Sequence, residues 1–189
     1  HGGIAAQRAV NDIETIGLRS AAVDQRCQRL CQSVRRGGIL QQLGHHKVAA
    51  QDVGQAHPGL QAFALHLGAP ADVFANVSRN TYSNMRVVHY PPQEAVQHIT
   101  DVGVRAHEDQ GLVTLLIQDM NGGLEVLGPD KDWLPVVPDE EAIVLNVAKL
   151  LTRWSNGRLK SALHRVINRS GRERYSIPLF IHPNYHQVI

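Results

Sequence analysis

Two polar side chains in the middle of the chain have the types and the spacing of a metal site. His107 and Asp109 are two residues apart, where a strand is predicted to begin. Because side chains in a strand alternate between two faces, both would leave the same face. An imidazole and a carboxylate side by side offer the mixed nitrogen and oxygen ligands that several divalent metals bind. The pair alone also fits two ordinary polar residues at a half-exposed strand start.

A third nitrogen ligand is available further along the chain. His164 follows Asp109 by 55 residues, and the tripeptide Arg174-Tyr175-Ser176 begins ten residues after His164. Two histidines and one carboxylate form the facial set that holds non-haem Fe(II) and leaves three coordination positions open. We therefore predict that His107, Asp109 and His164 bind one Fe(II), with a buried core histidine as the alternative for His164.

These motifs together resemble the isopenicillin N synthase-like branch of the Fe(II)/2-oxoglutarate-dependent oxygenases, from about Leu60 to Ile189. Sequence segments before and between these motifs are similar to that branch as well. The matching segments are His89-Tyr90-Pro91-Pro92, the Gly-x-x-Thr-x-Leu-x-Gln-Asp run that ends at Asp119, Gly122-Gly123-Leu124 and Trp154-Ser155-Asn156-Gly157-Arg158. The resemblance implies a mainly β fold, the double-stranded β-helix or jelly roll, with N-terminal helices packed on one sheet. It also implies that His107, Asp109 and His164 are the catalytic metal ligands.

The resemblance further implies Fe(II), 2-oxoglutarate as co-substrate, and O2. A buried far carboxylate of 2-oxoglutarate must be paired and hydrogen-bonded. Arg174 can hold it as a bidentate fork, and Ser176 can add a hydroxyl from the same strand face. Tyr90 matches the family position whose phenol also contacts the co-substrate. The predicted reaction is the oxidation, by hydroxylation, of a small organic substrate, with decarboxylation of 2-oxoglutarate to succinate.

Each of these assignments has a plainer alternative. Arg-x-Ser also occurs at Arg153-Trp154-Ser155, so only the position of the second copy, after the third ligand, distinguishes it. Arg174 could be a surface residue of its strand, and Tyr90 a core aromatic residue. Glu108 would point away from His107, so we expect it to be solvated and not a ligand. At the level of function, the alternatives are a 2-oxoglutarate-independent oxidase of the same fold and a catalytically inactive jelly-roll module.

The elements that must position these residues are mostly short strands. Turn residues such as Pro91-Pro92 and Ser170-Gly171 separate them, and no alternation of strands with long helices is present, which favours a jelly roll over a parallel α/β sheet. The predicted strands are Met85–Tyr90, Val102–Ala106, Leu112–Gln118, Leu124–Leu127, Trp133–Val136, Ala142–Val147, Leu159–Ile167 and Arg174–Ile181.

Two helices are predicted before the strands. Apolar residues between Leu60 and Leu67 recur at helical spacing, and His66 is expected to be a partly buried residue of this helix. Ala71–Val77 predicts a second, short helix with Phe74 inward. Ala148-Lys149 stands where the family commonly has Gly-Asp before a further short helix, so a capping carboxylate is lost there.

Residues 1–58 are predicted to form a divergent region that is helical or partly ordered, ahead of the oxygenase domain at 59–189. Asn11–Val34 has a loose helical period, and Arg35-Arg36-Gly37-Gly38 predicts its end. Cys27 and Cys31 are expected to be reduced, and His45-His46 to be a solvated pair rather than a metal site.

Composition limits the class of partner. The chain has 189 residues, 19 Lys and Arg, and a formal net charge of +2. Nothing in it suggests a nucleic-acid or membrane partner, and no apolar run approaches the roughly 18 residues of a membrane span. We expect a cytoplasmic protein that acts on a small molecule. The sequence leaves its oligomeric state and the identity of the substrate open.

Overall fold

The predicted strands assemble into two antiparallel sheets. The structure, a computed structural model, describes residues 57–78, 81, 83–92, 103–140 and 142–188. In this part of the chain the helices are α1 (His57–His66), α2 (Val73–Val77) and α3 (Lys149–Trp154). The strands there are β1 (Asn84–Met85), β2 (Val88–Tyr90), β3 (Val104–His107), β4 (Val113–Gln118), β5 (Leu124–Leu127), β6 (Trp133–Pro135), β7 (Val144–Val147), β8 (His164–Val166) and β9 (Arg174–Ile181).

The two sheets face each other as two layers. The first has the order β1-β9-β4-β7, with β2 also paired to β9, and the second has the order β3-β8-β5-β6. Every strand pair in the described chain is antiparallel. The predicted double-stranded β-helix is thereby confirmed.

The first sheet is buried on both faces, which explains why β4 is apolar almost throughout. Val113 and Leu115 belong to the core that the sheet forms with the helices, whereas Thr114 and Leu116 face a cavity between the sheets. Strand β9 alternates in the same way. The prediction that N-terminal helices pack on one sheet is confirmed by the core residues Leu60, Phe63, Ala64, Phe74, Leu112, Val113, Leu115, Ile117, Ile143, Leu145, Leu151, Leu159, Ile177, Leu179 and Ile181.

Two predicted strands differ most from the structure, whereas β4, β6 and β7 differ from their predicted ranges by only one or two residues at one end. The run Met85–Tyr90 is split into β1 and β2, and the interruption at Arg86 falls opposite Pro178. Arg86 still donates its N–H to the Pro178 carbonyl at 3.0 Å. Because proline has no N–H to return, the ladder is incomplete at this position.

The predicted strand Leu159–Ile167 is shortened to β8, three residues long. Only Leu163 of the preceding segment is bonded to a neighbouring strand, through its carbonyl to the Leu127 N–H of β5, and the backbone at Leu159 and Ser161 is bonded to α3 and the residue after it. Leu159 donates its N–H to Ser155 Oγ at 3.0 Å, and Ser161 donates its N–H to Thr152 Oγ1 at 2.9 Å. Hydroxyl side chains therefore satisfy backbone groups that the sequence pattern assigned to a sheet.

Helix α1 begins at His57, three residues before the predicted stripe, and its buried face carries Leu60, Phe63 and Ala64 as predicted. The expectation that His66 is partly buried was wrong, because it is exposed. His66 is the last residue of the helix and lies outside the buried stripe. Phe74 of α2 is buried, as predicted.

The predictions for the N-terminal region fall outside the described residues. They concern the helix at Asn11–Val34, its end at residues 35–38, the two cysteines, and His45-His46. The domain division at residues 58 and 59 stays a prediction. No helix in the described part of the chain is long and apolar enough to cross a membrane.

Candidate metal and co-substrate site

The three predicted metal ligands converge at one edge of the cavity. His107 ends β3 and His164 begins β8, and the two residues are direct partners in the β3–β8 ladder. Their ring centroids are 4.3 Å apart. Asp109 is buried between them, with Oδ1 3.6 Å from His107 Nε2 and Oδ2 3.9 Å from His164 Nε2. One ligand atom of each residue lies within 4.8 Å of the others, which is close enough for all three to hold one ion.

The reason for this convergence differs from the predicted one. Asp109 lies outside any strand, in the connection between β3 and β4, so strand alternation does not place it beside His107. The start of α3 holds this connection: Lys149 donates its N–H to the Asp109 carbonyl at 2.9 Å, and Leu150 donates to the Gly111 carbonyl at 3.1 Å. The N-cap residue of α3, Ala148, has no side chain that could accept from the first N–H groups of the helix. The loop carbonyls of Asp109 and Gly111 accept from these N–H groups instead. The loss of the family's Gly-Asp pair is offset here by backbone bonds.

Two further side chains fix the carboxylate of Asp109. Thr114 Oγ1 donates to Asp109 Oδ2 at 2.6 Å, and Asn146 Nδ2 donates to the same oxygen at 3.1 Å. Neither residue was predicted as part of the site. Each is a polar residue with apolar neighbours on both sides in its strand, and this polar position could have identified it from the sequence. Because both donors occupy Oδ2, Oδ1 is left as the oxygen free to bind a metal.

Backbone carbonyls fix the tautomer of both histidines. His107 Nδ1 lies 2.8 Å from the Arg105 carbonyl, and His164 Nδ1 lies 2.9 Å from the Ala162 carbonyl. A carbonyl only accepts, so each Nδ1 carries the hydrogen and each Nε2 presents its lone pair toward Asp109. Burial lowers the pKa of His164, which favours the neutral form that binds a metal.

Glu108 lies apart from the three ligands, as predicted, although it is only partly exposed. Its carboxylate accepts a hydrogen bond from Ser161 Oγ and lies 3.3 Å from Lys149 Nζ. The hydrogen bond from Ser161 and the charge of Lys149 lower the pKa of Glu108, against the opposing effect of burial. Glu108 therefore links the ligand-bearing connection to α3 and its neighbourhood.

Arg174 lies at the other end of the cavity and is fully buried. Its Nε donates to the Gly122 carbonyl, and one terminal nitrogen donates to Gln118 Oε1 at 3.2 Å. The other terminal nitrogen, Nη1, is buried and has no hydrogen-bond partner among the described residues, and the same is true of Gln118 Nε2. Burial also lowers the pKa of Arg174, while the nearby Tyr90 and Asp119 act against that shift. An unpartnered guanidinium donor in a closed space calls for an acceptor from outside the protein chain.

Tyr90 and Ser176 flank this guanidinium. Arg174 Cζ lies 4.6 Å from the centroid of the Tyr90 ring. Tyr90, in β2, is the direct ladder partner of Arg174, in β9. Ser176 is buried two residues along the same face of β9 and also lines the cavity. Arg153, from the other Arg-x-Ser copy, is exposed near the end of α3 and does not line it. The position of the second Arg-x-Ser copy therefore distinguishes it, as predicted.

The turn after β4 gives Arg174 its backbone acceptor. Gly122 and Gly123 have φ values of 73° and 91°, in the left-handed region that glycine adopts readily. A Cβ atom on Gly123 would lie 2.6 Å from the Ile167 carbonyl oxygen and 3.6 Å from the Cδ atom of Arg174. Gln118 and the Gly122 carbonyl were not predicted as part of the site, because their contact with Arg174 depends on the β4–β9 register.

The donor set fits an Fe(II) ion and a dicarboxylate. Two neutral imidazoles and one carboxylate match the non-haem Fe(II) set, and a buried arginine with a spare donor faces the same cavity. The cavity has a volume of about 170 Å³. A cavity of about 150 Å³ admits a molecule the size of benzene, so this space has room for a small molecule.

Comparisons with known proteins agree with this donor set. The profile of the 2OG-Fe(II) oxygenase superfamily matches residues 79–183. A 2-oxoglutarate-Fe(II) type oxidoreductase of Aspergillus fumigatus is 42% identical over 125 residues, which are 65% of this chain and 37% of that protein. A full-length protein of Neurospora crassa, solved in complex with alpha-KG, superposes with a TM-score of 0.66 and 32% identity, over 70% of this chain and 44% of that one.

A third protein is similar in structure. The binary complex of 2-oxoglutarate with the dioxygenase for auxin oxidation 1 of Arabidopsis thaliana superposes with a TM-score of 0.63 and 29% identity, over 72% of this chain and 50% of that one. The chain thus spans half or less of the length of each of these relatives. Because the superfamily profile covers more than half of its residues, the chain belongs to the 2OG-Fe(II) oxygenase superfamily.

Proposed function

We propose that this chain carries the catalytic site of an Fe(II)- and 2-oxoglutarate-dependent oxygenase that hydroxylates a small organic substrate. One observation supports this proposal above the others. A fully buried arginine with an unpartnered Nη1 lines the same cavity as a cluster of two histidines and one aspartate. The cluster suits the metal, and the arginine suits the far carboxylate of a 2-oxo dicarboxylic acid.

His107, Asp109 and His164 would hold Fe(II) through Nε2, Oδ1 and Nε2. When bound, the iron supplies the oxidative chemistry by which 2-oxoglutarate and O2 become succinate and CO2 while the substrate gains one oxygen atom. The protein residues supply geometry and charge. One anionic and two neutral ligands leave part of the ion's positive charge uncompensated, which favours an anionic 2-oxo acid in the remaining positions.

The other end of the cavity selects the co-substrate. Arg174 would donate from Nη1 to the far carboxylate, and Ser176 would donate its hydroxyl to the same group. Tyr90 and the Gly122 carbonyl hold the guanidinium from two sides, so its fork is oriented before the co-substrate enters. We also assign the Tyr90 phenol a place beside the co-substrate. The small volume and the aliphatic walls of the cavity favour a small-molecule substrate, and we place the protein in the cytoplasm.

Succinate formation is the direct test. The full chain would be loaded with Fe(II) without oxygen, mixed with 2-oxoglutarate, and exposed to O2 while succinate and oxygen consumption are measured. We expect succinate in the wild type and none in Asp109→Ala. Oxygen consumption without succinate would instead indicate a 2-oxoglutarate-independent oxidase. Iron binding with no oxygen consumption for any of a panel of small substrates would indicate an inactive jelly-roll module.

A further inference from the structure

A second arginine lines the cavity, away from the co-substrate anchor. Arg86 lies between β1 and β2, opposite Pro178 of β9, and it is exposed, whereas Arg174 is fully buried. Arg86 and Phe180 both line the cavity. The cavity is therefore closed at the Arg174 end and accessible from solvent at the Arg86 end.

Phe180 supports the guanidinium of Arg86. The Cζ atom of Arg86 lies 5.5 Å from the centroid of the Phe180 ring, within the range of a cation–π contact. Stacking on a ring orients a guanidinium without using its hydrogen-bond donors. Arg86 is thus oriented but retains its donors for another group.

Three other arginines of the described chain have their donors engaged. Arg165 and Arg169 both pair with Glu125, and Arg158 donates to the Leu67 carbonyl at 2.8 Å. Among the described residues Arg86 has no acidic partner, and the only carboxylate they contribute to the cavity lining is that of Asp109, which Thr114 and Asn146 hold at the metal site. A planar fork of free donors suits a carboxylate.

Register places this arginine beside the metal end. Phe180 is the direct ladder partner of Thr114, and Thr114 donates to the metal-ligand carboxylate of Asp109. Directly opposed residues have Cβ atoms about 4.5–5.5 Å apart. Arg86 lies opposite Pro178, which is four residues from Arg174 on β9, about 13 Å along the strand. The two arginines therefore lie toward different ends of the cavity, and the Arg174 end is the one assigned to 2-oxoglutarate.

Charge balance points to an anionic occupant. Arg86 and Arg174 contribute two positive charges to the cavity lining, and Asp109 contributes one negative charge. With Fe(II) and the dianion 2-oxoglutarate added, the formal charge of the site is +1. Apart from these charged groups much of the cavity wall is apolar, and it includes Val88, Val104, Val136, Val144 and Pro178. A monoanion with an apolar body would neutralise the site and fill these walls.

We propose that Arg86, held on Phe180, binds the carboxylate of the prime substrate, so that the enzyme acts on small organic acids with an apolar body. This proposal rests on the function proposed above, because it assigns the part of the cavity that 2-oxoglutarate leaves free. Arg86 is then a specificity-determining residue that orients the substrate by its acid group and directs the apolar body toward the metal end.

The test compares acids with their neutral amides. The full chain, loaded with Mn²⁺ in place of Fe(II) and saturated with 2-oxoglutarate, would be titrated by calorimetry with phenylacetate and phenylacetamide, and with further acid and amide pairs of alicyclic body. The variants are Arg86→Gln and Arg86→Lys. Arg153→Gln is the matched control, because it removes the same charge from an exposed arginine outside the cavity.

We expect acids of the panel to bind wild type and Arg153→Gln about tenfold more tightly than their amides. Arg86→Gln should lose this preference, and Arg86→Lys should keep part of it. The dissociation constant of 2-oxoglutarate should stay unchanged in all of them, which also shows that each variant is folded. A wild type that binds 2-oxoglutarate but prefers no acid, or a preference that survives Arg86→Gln, would overturn this inference alone. A wild type that does not bind 2-oxoglutarate would instead contradict the proposed function.

Discussion

The two ends of the cavity are constructed in different ways. The metal end brings together the end of β3, the β3–β4 connection and the start of β8, with Thr114 and Asn146 added from β4 and β7. The anchor end depends chiefly on one strand, β9, whose alternation places Arg174 and Ser176 on one face. A site assembled from several segments depends on their mutual register, whereas a site on one strand depends on burial and alternation.

This difference predicts that the two ends can be disabled separately. Substitutions at the metal end should weaken metal binding and, through it, every later step. Substitutions at the anchor should leave metal binding intact and change only the affinity for the co-substrate. Metal affinity and co-substrate affinity, measured on the same variants, therefore distinguish the two ends.

Asp109→Ala should abolish metal binding at low micromolar metal. The variant would leave two neutral imidazoles and two donors, Thr114 and Asn146, that have lost their acceptor. Titration with Mn²⁺ or Fe(II) without oxygen would measure this. Glu108→Gln is the matched control. It removes the charge of the neighbouring carboxylate, whose partners are Ser161 and Lys149 and not the metal ligands. Tight metal binding by Asp109→Ala would contradict the ligand assignment.

Arg174→Ala should raise the apparent KM for 2-oxoglutarate by about 30-fold or more. Removing one partner of a buried charge pair costs about 2–5 kcal/mol, and each ~1.4 kcal/mol is a factor of ten. Arg174→Lys should recover only part of the loss, since lysine keeps the charge but lacks the fork. Succinate formation at varied 2-oxoglutarate would give the KM, with the exposed Arg172→Ala as control. An unchanged KM would place the anchor elsewhere and favour a 2-oxoglutarate-independent oxidase.

Thr114→Val should weaken metal binding by about tenfold, the lower end of the range for residues that orient a ligand. Valine keeps the shape and the strand preference of threonine but cannot donate to Asp109 Oδ2. Asn146 would still hold that oxygen, so the loss should be partial. Metal titration of Thr114→Val beside Ser176→Ala would measure it. Equal metal affinity in the two variants would show that the Thr114 hydrogen bond does not position the ligand.

Ser176→Ala should have the smallest effect, about a fivefold rise in the KM for 2-oxoglutarate. One hydrogen bond contributes about 1 kcal/mol when its loss leaves no buried group unpaired. Metal affinity should not change. A rise as large as that of Arg174→Ala would mean that the hydroxyl carries more of the anchor than one hydrogen bond can supply.

The same contrast between the two ends explains what the sequence could predict. Strand β9 matches its predicted range, Arg174–Ile181, and so does β5 at Leu124–Leu127, because glycine or charged turn residues precede each of them. With the boundaries of β9 correct, the orientation of Arg174 and Ser176 followed from local alternation alone. The family resemblance added their role.

The metal end was less predictable, because its geometry is not local. The residue types were correct, but the argument from strand alternation failed for Asp109, which lies in a connection held by the backbone of α3. The ladder pairing of His107 with His164 joins residues 57 positions apart, and no short-range pattern reveals it. Likewise, the backbone N–H groups of Leu159 and Ser161, which were predicted to lie in a strand, donate to the hydroxyl groups of Ser155 and Thr152.

Arg86 is a residue whose role could not be predicted from the sequence at all. In sequence it is one charged residue within a predicted strand, and nothing distinguishes it from an arginine that lies outside the cavity. Its position became informative only when β9 placed Phe180 beneath it and Thr114 next to Phe180. Specificity residues of this kind depend on which strands become neighbours.

The most direct test of the two-ended cavity is the preference for a dicarboxylate over a monocarboxylate. The wild type and Arg174→Ala, both loaded with Mn²⁺, would be titrated without oxygen with 2-oxoglutarate and with pyruvate, and the ratio of their dissociation constants measured. We predict a strong preference for 2-oxoglutarate in the wild type and a ratio near one in Arg174→Ala, with equal metal occupancy. A preference for 2-oxoglutarate that persists in Arg174→Ala at equal metal occupancy would contradict the central claim.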